Sequence, residues 1–173
     1  EKSLGGSDYD YATSIQQTKD NGYTVAGYSY SNDGDVTENY GNYDFWIVKL
    51  NANGAIVWQK SLGGSNSDWA TSIQQTKDNG YIIAGYSYST DGNVTGHHGS
   101  TDNTDCWIVK LNANGAIEWQ KSLGGSDYDY ANSIQQTSDG GYIIAGSSYS
   151  TDGNVTDHHG STNYNDYWIV KLK

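Results

Sequence analysis

The chain contains no proline and no methionine, one phenylalanine (Phe45) and one cysteine (Cys106). A lone cysteine cannot close an internal disulfide, so no covalent staple holds the fold and cysteine usage does not assign a compartment. Basic residues are scarce: nine Lys and Arg stand against twenty Asp and Glu, a formal charge of −11. Such an excess repels phosphate backbones and anionic membrane surfaces, which argues against nucleic acid as a partner. No apolar run approaches the roughly 20 residues that a membrane-crossing helix needs, so membrane insertion is not expected. No basic and apolar leader precedes Glu1, but the chain does not begin with Met, and this absence is not read as a cytosolic address.

What is abundant is Tyr (16) and Gly (22), with six Trp and many Ile and Val. β-Branched and aromatic residues broken by Gly and Asn mark strands and turns rather than helices, and predict an all-β protein. The 173 residues are enough for one domain with a core. The sequence is also repetitive. KSLGGS begins at Lys2, Lys60 and Lys121, SIQQT at Ser14, Ser72 and Ser133, and the W-I-V-K-L segment at Trp46, Trp107 and Trp168. The last three are spaced by 61 residues each time, while the first unit is three residues shorter between SIQQT and Trp46. A fixed period of this size belongs to repeat architectures, in which each unit is a supersecondary element that cannot bury its own faces alone.

Within one unit four strands are predicted. Ala70 to Thr76 runs through a KDNG turn, with Gly80 supplying positive φ, into Tyr81 to Tyr88. After a long polar loop, Cys106 to Leu111 runs through NANG into Ala116 to Leu123. IIA and WIV are continuous apolar cores, as in strands covered on both faces, whereas the last strand alternates and reads as an outer edge. A four-stranded meander of this kind is a propeller blade. The pattern SLGGSxxDYAxSIQQTxDGGYIIAGYSYSxDGxVTxxHG…DYWIVKLNANGxIxWQ also resembles tandem β-propeller-type repeats of about 60 residues in secreted and cell-surface bacterial proteins. That resemblance implies an extracellular or surface location and covers the whole chain, but it carries no chemistry with it.

The expected architecture is therefore a β-propeller built of four-stranded antiparallel blades, three per chain at about 8–62, 66–123 and 127–173. The last blade is incomplete, and residues 1–4 are an N-terminal strand. A β-trefoil, also three repeats of four strands, is the competing architecture. Three blades do not close a ring, because propellers use about four to eight. The open ends thus predict self-association, most simply a dimer of three blades each, or a longer propeller.

Binding groups are expected on the face carrying the long loops. Three sets of candidates lie there. Asp33 and Asp35, Asp91 and Asn93, and Asp152 and Asn154 flank a Gly in an acidic loop, a pattern of oxygen donors that Ca²⁺ uses; the competing reading is an Asx-type turn. His97–His98 and His158–His159 are paired imidazoles close to Asp102, Asp157 and Asp166, read either as a metal or ligand contact or as solvated loop residues, since adjacent residues rarely aim at one ion. Tyr11, Trp69 and Tyr130, each preceded by an acid (Asp10, Asp68, Asp129), would suit a carbohydrate, ring stacked on sugar and carboxylate accepting from hydroxyls; the alternative is packing between blades. Asn93-Val-Thr95 and Asn154-Val-Thr156 also match the N-glycosylation acceptor pattern. No pair of acids is singled out from its repeat counterparts as catalysis would require, and Cys106 reads as packing. No cofactor beyond the candidate Ca²⁺ is expected. The function expected is non-enzymatic binding or adhesion to a carbohydrate or surface protein, with a structural, self-assembling repeat protein as the alternative.

Overall fold

The computed structural model describes residues 1–173 and contains eleven strands and no helix. Strands β1 (Asp10–Gln17), β2 (Tyr23–Ser29), β3 (Asp44–Leu50) and β4 (Ile56–Leu62) form one antiparallel meander. In the second unit, β5 (Asp68–Gln75), β6 (Tyr81–Ser87), β7 (Asp105–Leu111) and β8 (Ile117–Leu123) repeat it. The third has only three strands, β9 (Asp129–Gln136), β10 (Tyr142–Ser148) and β11 (Asp166–Leu172), with β11 at its edge. These are three propeller-type blades, the last lacking its outer strand, and they do not close a ring. Three separate sheets, each covering the next, leave no trefoil barrel. Residues 1–4, expected as a strand, form none; Leu4 instead packs against a cluster of Val36, Trp46 and Val48 on the first sheet.

The blades stack face to face. One apolar layer between the first and second contains Phe45, Ile47, Ile73, Ile83, Trp107 and Val109. A second layer, between the second and third blades, contains Ile82, Cys106, Ile108, Ile134 and Ile144. Apolar side chains on the central strands of the second blade thus face neighbours on both sides, which the unbroken IIA and WIV there require. The outer strands are half-wet: Val57 is 58% exposed and Trp119 36%. In the first two units the lysine inside W-I-V-K-L is buried all the same, whereas Lys171 of the third is exposed. Lys49 Nζ lies 2.9 Å from Asp20 Oδ2, and Lys110 Nζ is 3.0 Å from Asp78 and 2.8 Å from Glu118, so the acid of each hairpin turn neutralises an ammonium that the sheet would otherwise desolvate unpaired. The left-handed residue of those turns is Asn21 (φ 63°) and Asn79 (φ 67°), not the glycine that follows. Asn tolerates that region, and Gly80 is needed for a different reason: a Cβ there would meet Leu111 O at 2.3 Å.

SIQQT is the seam between blades. Ser72 Oγ accepts from Ile134 N (3.2 Å), Gln74 Oε1 from Gln136 N (2.5 Å) and Gln136 Oε1 from Lys77 N (2.9 Å); Ser14, Gln16 and Gln75 do the same one blade earlier. A β-bulge falls between Ala70 and Ser72. It turns Thr71 toward the next blade, where its hydroxyl lies 2.7 Å from Ala131 O and 3.1 Å from Ala84 O. The innermost strands, β1, β5 and β9, are thereby joined through side chains rather than by a continuous ladder.

Candidate functional site

Packing the innermost strands side by side brings the aromatic residues at their N-terminal ends into one band. Tyr11 pairs across strands with Tyr28, and Trp69 with Tyr86. The ring centroids then step from Tyr9 to Tyr11 (6.3 Å), Tyr28 (5.0 Å) and Tyr43 (5.5 Å), on to Trp69 (6.0 Å) and Tyr86 (5.2 Å), and across to Tyr130 (4.9 Å), Tyr128 (6.2 Å) and Tyr149 (6.3 Å). Tyr30 and Tyr88 flank it. Tyr9 is 62% exposed, Tyr11 45% and Tyr30 43%, while Trp69 and Tyr130 are half-buried. The rings thus serve packing and display together: each contacts its neighbours and leaves part of its surface to solvent. Sequence reasoning found Tyr11, Trp69 and Tyr130, but not the partners that reach the band from the ends of β2 and β6.

The acids beside those aromatics point the other way. Asp68 is fully buried, and its Oδ2 accepts from Gly64 N (2.9 Å) and Ser89 Oγ (2.9 Å); Asp129 Oδ2 accepts from Gly125 N and Ser150 Oγ (both 2.8 Å). Asp10 accepts from Gly6 N (2.8 Å) and Ser29 Oγ (2.5 Å). They hold the Gly-Gly stretch that enters each blade.

The acidic loops hold the same stretch from the other side. Asp33, Asp91 and Asp152 accept through Oδ1 from the backbone N–H of Ser7, Ser65 and Ser126, each at 2.7 Å. Asp35, Asn93 and Asn154 accept from Gly5, Gly63 and Gly124, each at 3.2 Å. These are long-range latches rather than local Asx turns. The glycine between the two oxygen donors (Gly34, Gly92, Gly153) takes φ of 62–64° and lies so close to the entering chain that a Cβ would sit 2.4–2.5 Å from its carbonyl. No group of three or more His, Cys, Asp or Glu side chains is drawn together in the geometry of a metal site.

The two histidines of each pair make different hydrogen bonds. His97 Nε2 faces Ser100 O (3.3 Å), while His98 donates its backbone N–H to Asp105 Oδ2 (2.9 Å) and sets Nδ1 2.7 Å from the same oxygen. His158 Nε2 faces Ser161 O, its Nδ1 lying 3.9 Å from Asp166 Oδ2, and His159 sets its backbone N–H and its Nδ1 on that same oxygen. In the first unit Tyr40 N bonds Asp44 Oδ2 at 2.6 Å without any imidazole. The aspartates that begin β3, β7 and β11 (Asp44, Asp105, Asp166) therefore anchor the long loops. Sequence reasoning did not weigh Asp44 or Asp105, although an aspartate recurring two residues before each W-I-V run was the available signal. Asn93 is half-buried and Asn154 exposed. No protein-family model matches this chain, and no curated protein matches it.

Proposed function

We propose that this chain is a non-enzymatic binding module of secreted or cell-surface type, in which stacked propeller-type blades present the aromatic band to a carbohydrate chain. The observation that carries the reading is the band itself: eleven rings joined across three blades, their exposed edges on the face that bears the long loops. Rings half-sunk in a rigid sheet bind with little ordering cost and offer apolar faces to the apolar side of a sugar ring. The same rings could stack nucleobases, but a charge of −11 opposes a phosphate backbone. A protein ligand is the alternative occupant. A glycan array with wild type, Trp69→Ala and the more exposed Tyr9→Ala tests it. Binding weakened at least tenfold in both variants, with unchanged circular dichroism, supports the reading; no bound glycan, or unchanged binding, removes it.

A second reading, self-association of blades, is favoured by unequal burial of equivalent residues. Phe45 and Ile47 are fully buried against the second blade, whereas Tyr167 and Ile169, at the same places in the third unit, are 96% and 59% exposed. At the other end of the stack Ile15 is 67% exposed where Ile73 and Ile134 are 5% and 4%. There a groove of about 340 Å³ is lined by Leu4, Tyr11, Ile15, Val25, Val48 and Leu50. The two faces carry at equivalent positions the kinds of residue that already meet inside the chain, so one copy would continue the stack of another. Sedimentation equilibrium decides: a strictly monomeric mass rejects it.

A further inference from the structure

Each join between blades contains two buried carboxylates from different sheets. Asp44, at the start of β3, and Asp68, at the start of β5, are both fully buried, and Asp68 N donates to Tyr43 O at 2.5 Å. Between them passes Gly63. A Cβ built on that glycine would lie 2.2 Å from Asp44 Oδ1 and 2.5 Å from Asp68 Oδ2, so the two side chains converge on the space that glycine leaves free. The next join repeats the arrangement with Asp105, Asp129 and Gly124, at 2.8 and 2.4 Å.

The hydrogen bonding around the first pair is short of two donors. Asp44 Oδ2 is satisfied by Tyr40 N, and Asp68 Oδ2 by Gly64 N and Ser89 Oγ, but Asp44 Oδ1 and Asp68 Oδ1 are both buried with no partner. Neither acid forms an ion pair; the titratable groups facing them are Tyr40 and Asp91, neither of which brings positive charge. Two unpaired charges in such a place would be costly, and a buried acceptor without a donor adds to the cost.

We propose that Asp44 and Asp68 share one proton, which supplies one of the two missing donors and ties the third strand of one blade to the first strand of the next, and that Asp105 and Asp129 form a second pair of the same kind. Burial pushes the Asp44 carboxyl up to about 7, against the pull of the Tyr40 N–H, and the neighbouring Asp68 adds to the rise. Burial likewise raises Asp68 to about 6, against the Ser87, Gly64 and Ser89 hydrogen bonds. The second pair differs in having His97 and His98 nearby, with His98 Nδ1 2.7 Å from Asp105. The first pair has no such donor, and the experiment addresses it. Because the folded chain keeps a proton on this pair at a pH where unfolded carboxyls, near 3.8, have lost theirs, its contribution to stability declines as the pH rises above 3.8 and is lost once the pH has passed 6 to 7.

The test follows side-chain carboxyl ¹³C signals of the folded protein from pH 4 to 8.5, with thermal melts of wild type and Asp44→Asn. A carboxyl that titrates between about 5.5 and 7.5 and is altered in Asp44→Asn, together with a wild-type midpoint that falls toward pH 8 more steeply than the variant's, supports the pair. The amide is neutral at every pH and so cannot repel Asp68. If every carboxyl titrates near its ordinary value, the proposal is overturned. It is overturned equally if Ca²⁺ raises, and a chelator lowers, the wild-type midpoint at pH 8 through Asp44, because the space would then hold a cation instead of a proton. The spectra of wild type alone decide between these outcomes if Asp44→Asn does not fold.

Discussion

Phe45 and Tyr167 occupy the same place in their repeats, two residues after Tyr43 and Asn165, yet one is sealed between sheets and the other stands in solvent. Phe45 has no exposed surface, and its ring centroid is 4.6 Å from that of Trp107. Its tip reaches so near Gly85 that a Cβ there would lie 2.8 Å from it. Truncation to Ala empties this space between two rigid sheets, and the cost for a fully buried Phe is about 3–5 kcal/mol. At about 2–4 °C per kcal/mol for a domain of this size, the melting temperature should drop by about 6–20 °C. Tyr167→Ala removes a ring that is 96% exposed, and its effect should lie within about 0.5 kcal/mol. Urea unfolding followed by Trp fluorescence, on dilute monomeric protein, measures both. A Phe45→Ala loss below about 1 kcal/mol, or equal losses for the two variants, would refute the stacking described above.

Thr71→Val keeps shape but removes the hydroxyl between Ala131 O and Ala84 O; it should cost about 1–2 kcal/mol in urea melts, and no loss would mean that the bulge does not join the blades. Cys106 is fully buried, and burial pushes its thiol up, so a thiol-specific reagent should label it only as fast as the protein opens; rapid labelling of native protein would contradict its position between the second and third blades. Asp78 is held down to about 2, first by the Thr76 hydroxyl and then by Gly80 N and Lys110. Its contribution is present above pH 3.8 and fades as the pH falls toward 2, so Asp78→Asn should flatten the acid side of the stability profile; an unchanged acid limb would count against the turn's role.

Much of the fold was legible because its determinants are local and repeated three times. The alternation in AIEWQKSL, the unbroken IIA and WIV and the turn residues of KDNG and NANG set strands within one or two residues of those observed: Ala70 to Thr76 was expected where β5 covers Asp68–Gln75, and Cys106 to Leu111 where β7 covers Asp105–Leu111. Periodicity reports which side chains must be covered. It does not report by what.

The candidate site shows that difference most clearly. Aromatic residues beside aspartates in Asp10-Tyr11, Asp68-Trp69 and Asp129-Tyr130 read as one mixed patch, but successive residues of a strand face opposite ways. The rings join a band across the blades while the acids turn inward to hold Gly-Gly and to meet Asp44 or Asp105. Gln16, Gln74 and Thr71 find their backbone partners on the neighbouring blade, about 60 residues away, where no local pattern could place them. The amino-acid sequence by itself determined the strands, their order within a blade and the number of blades, because each depends on residues a few positions apart. Only the tertiary structure decided which polar groups are buried against each other, since that depends on the facing of one sheet on the next. The same stacking converts a row of separate tyrosines into a surface, and two distant aspartates into a pair.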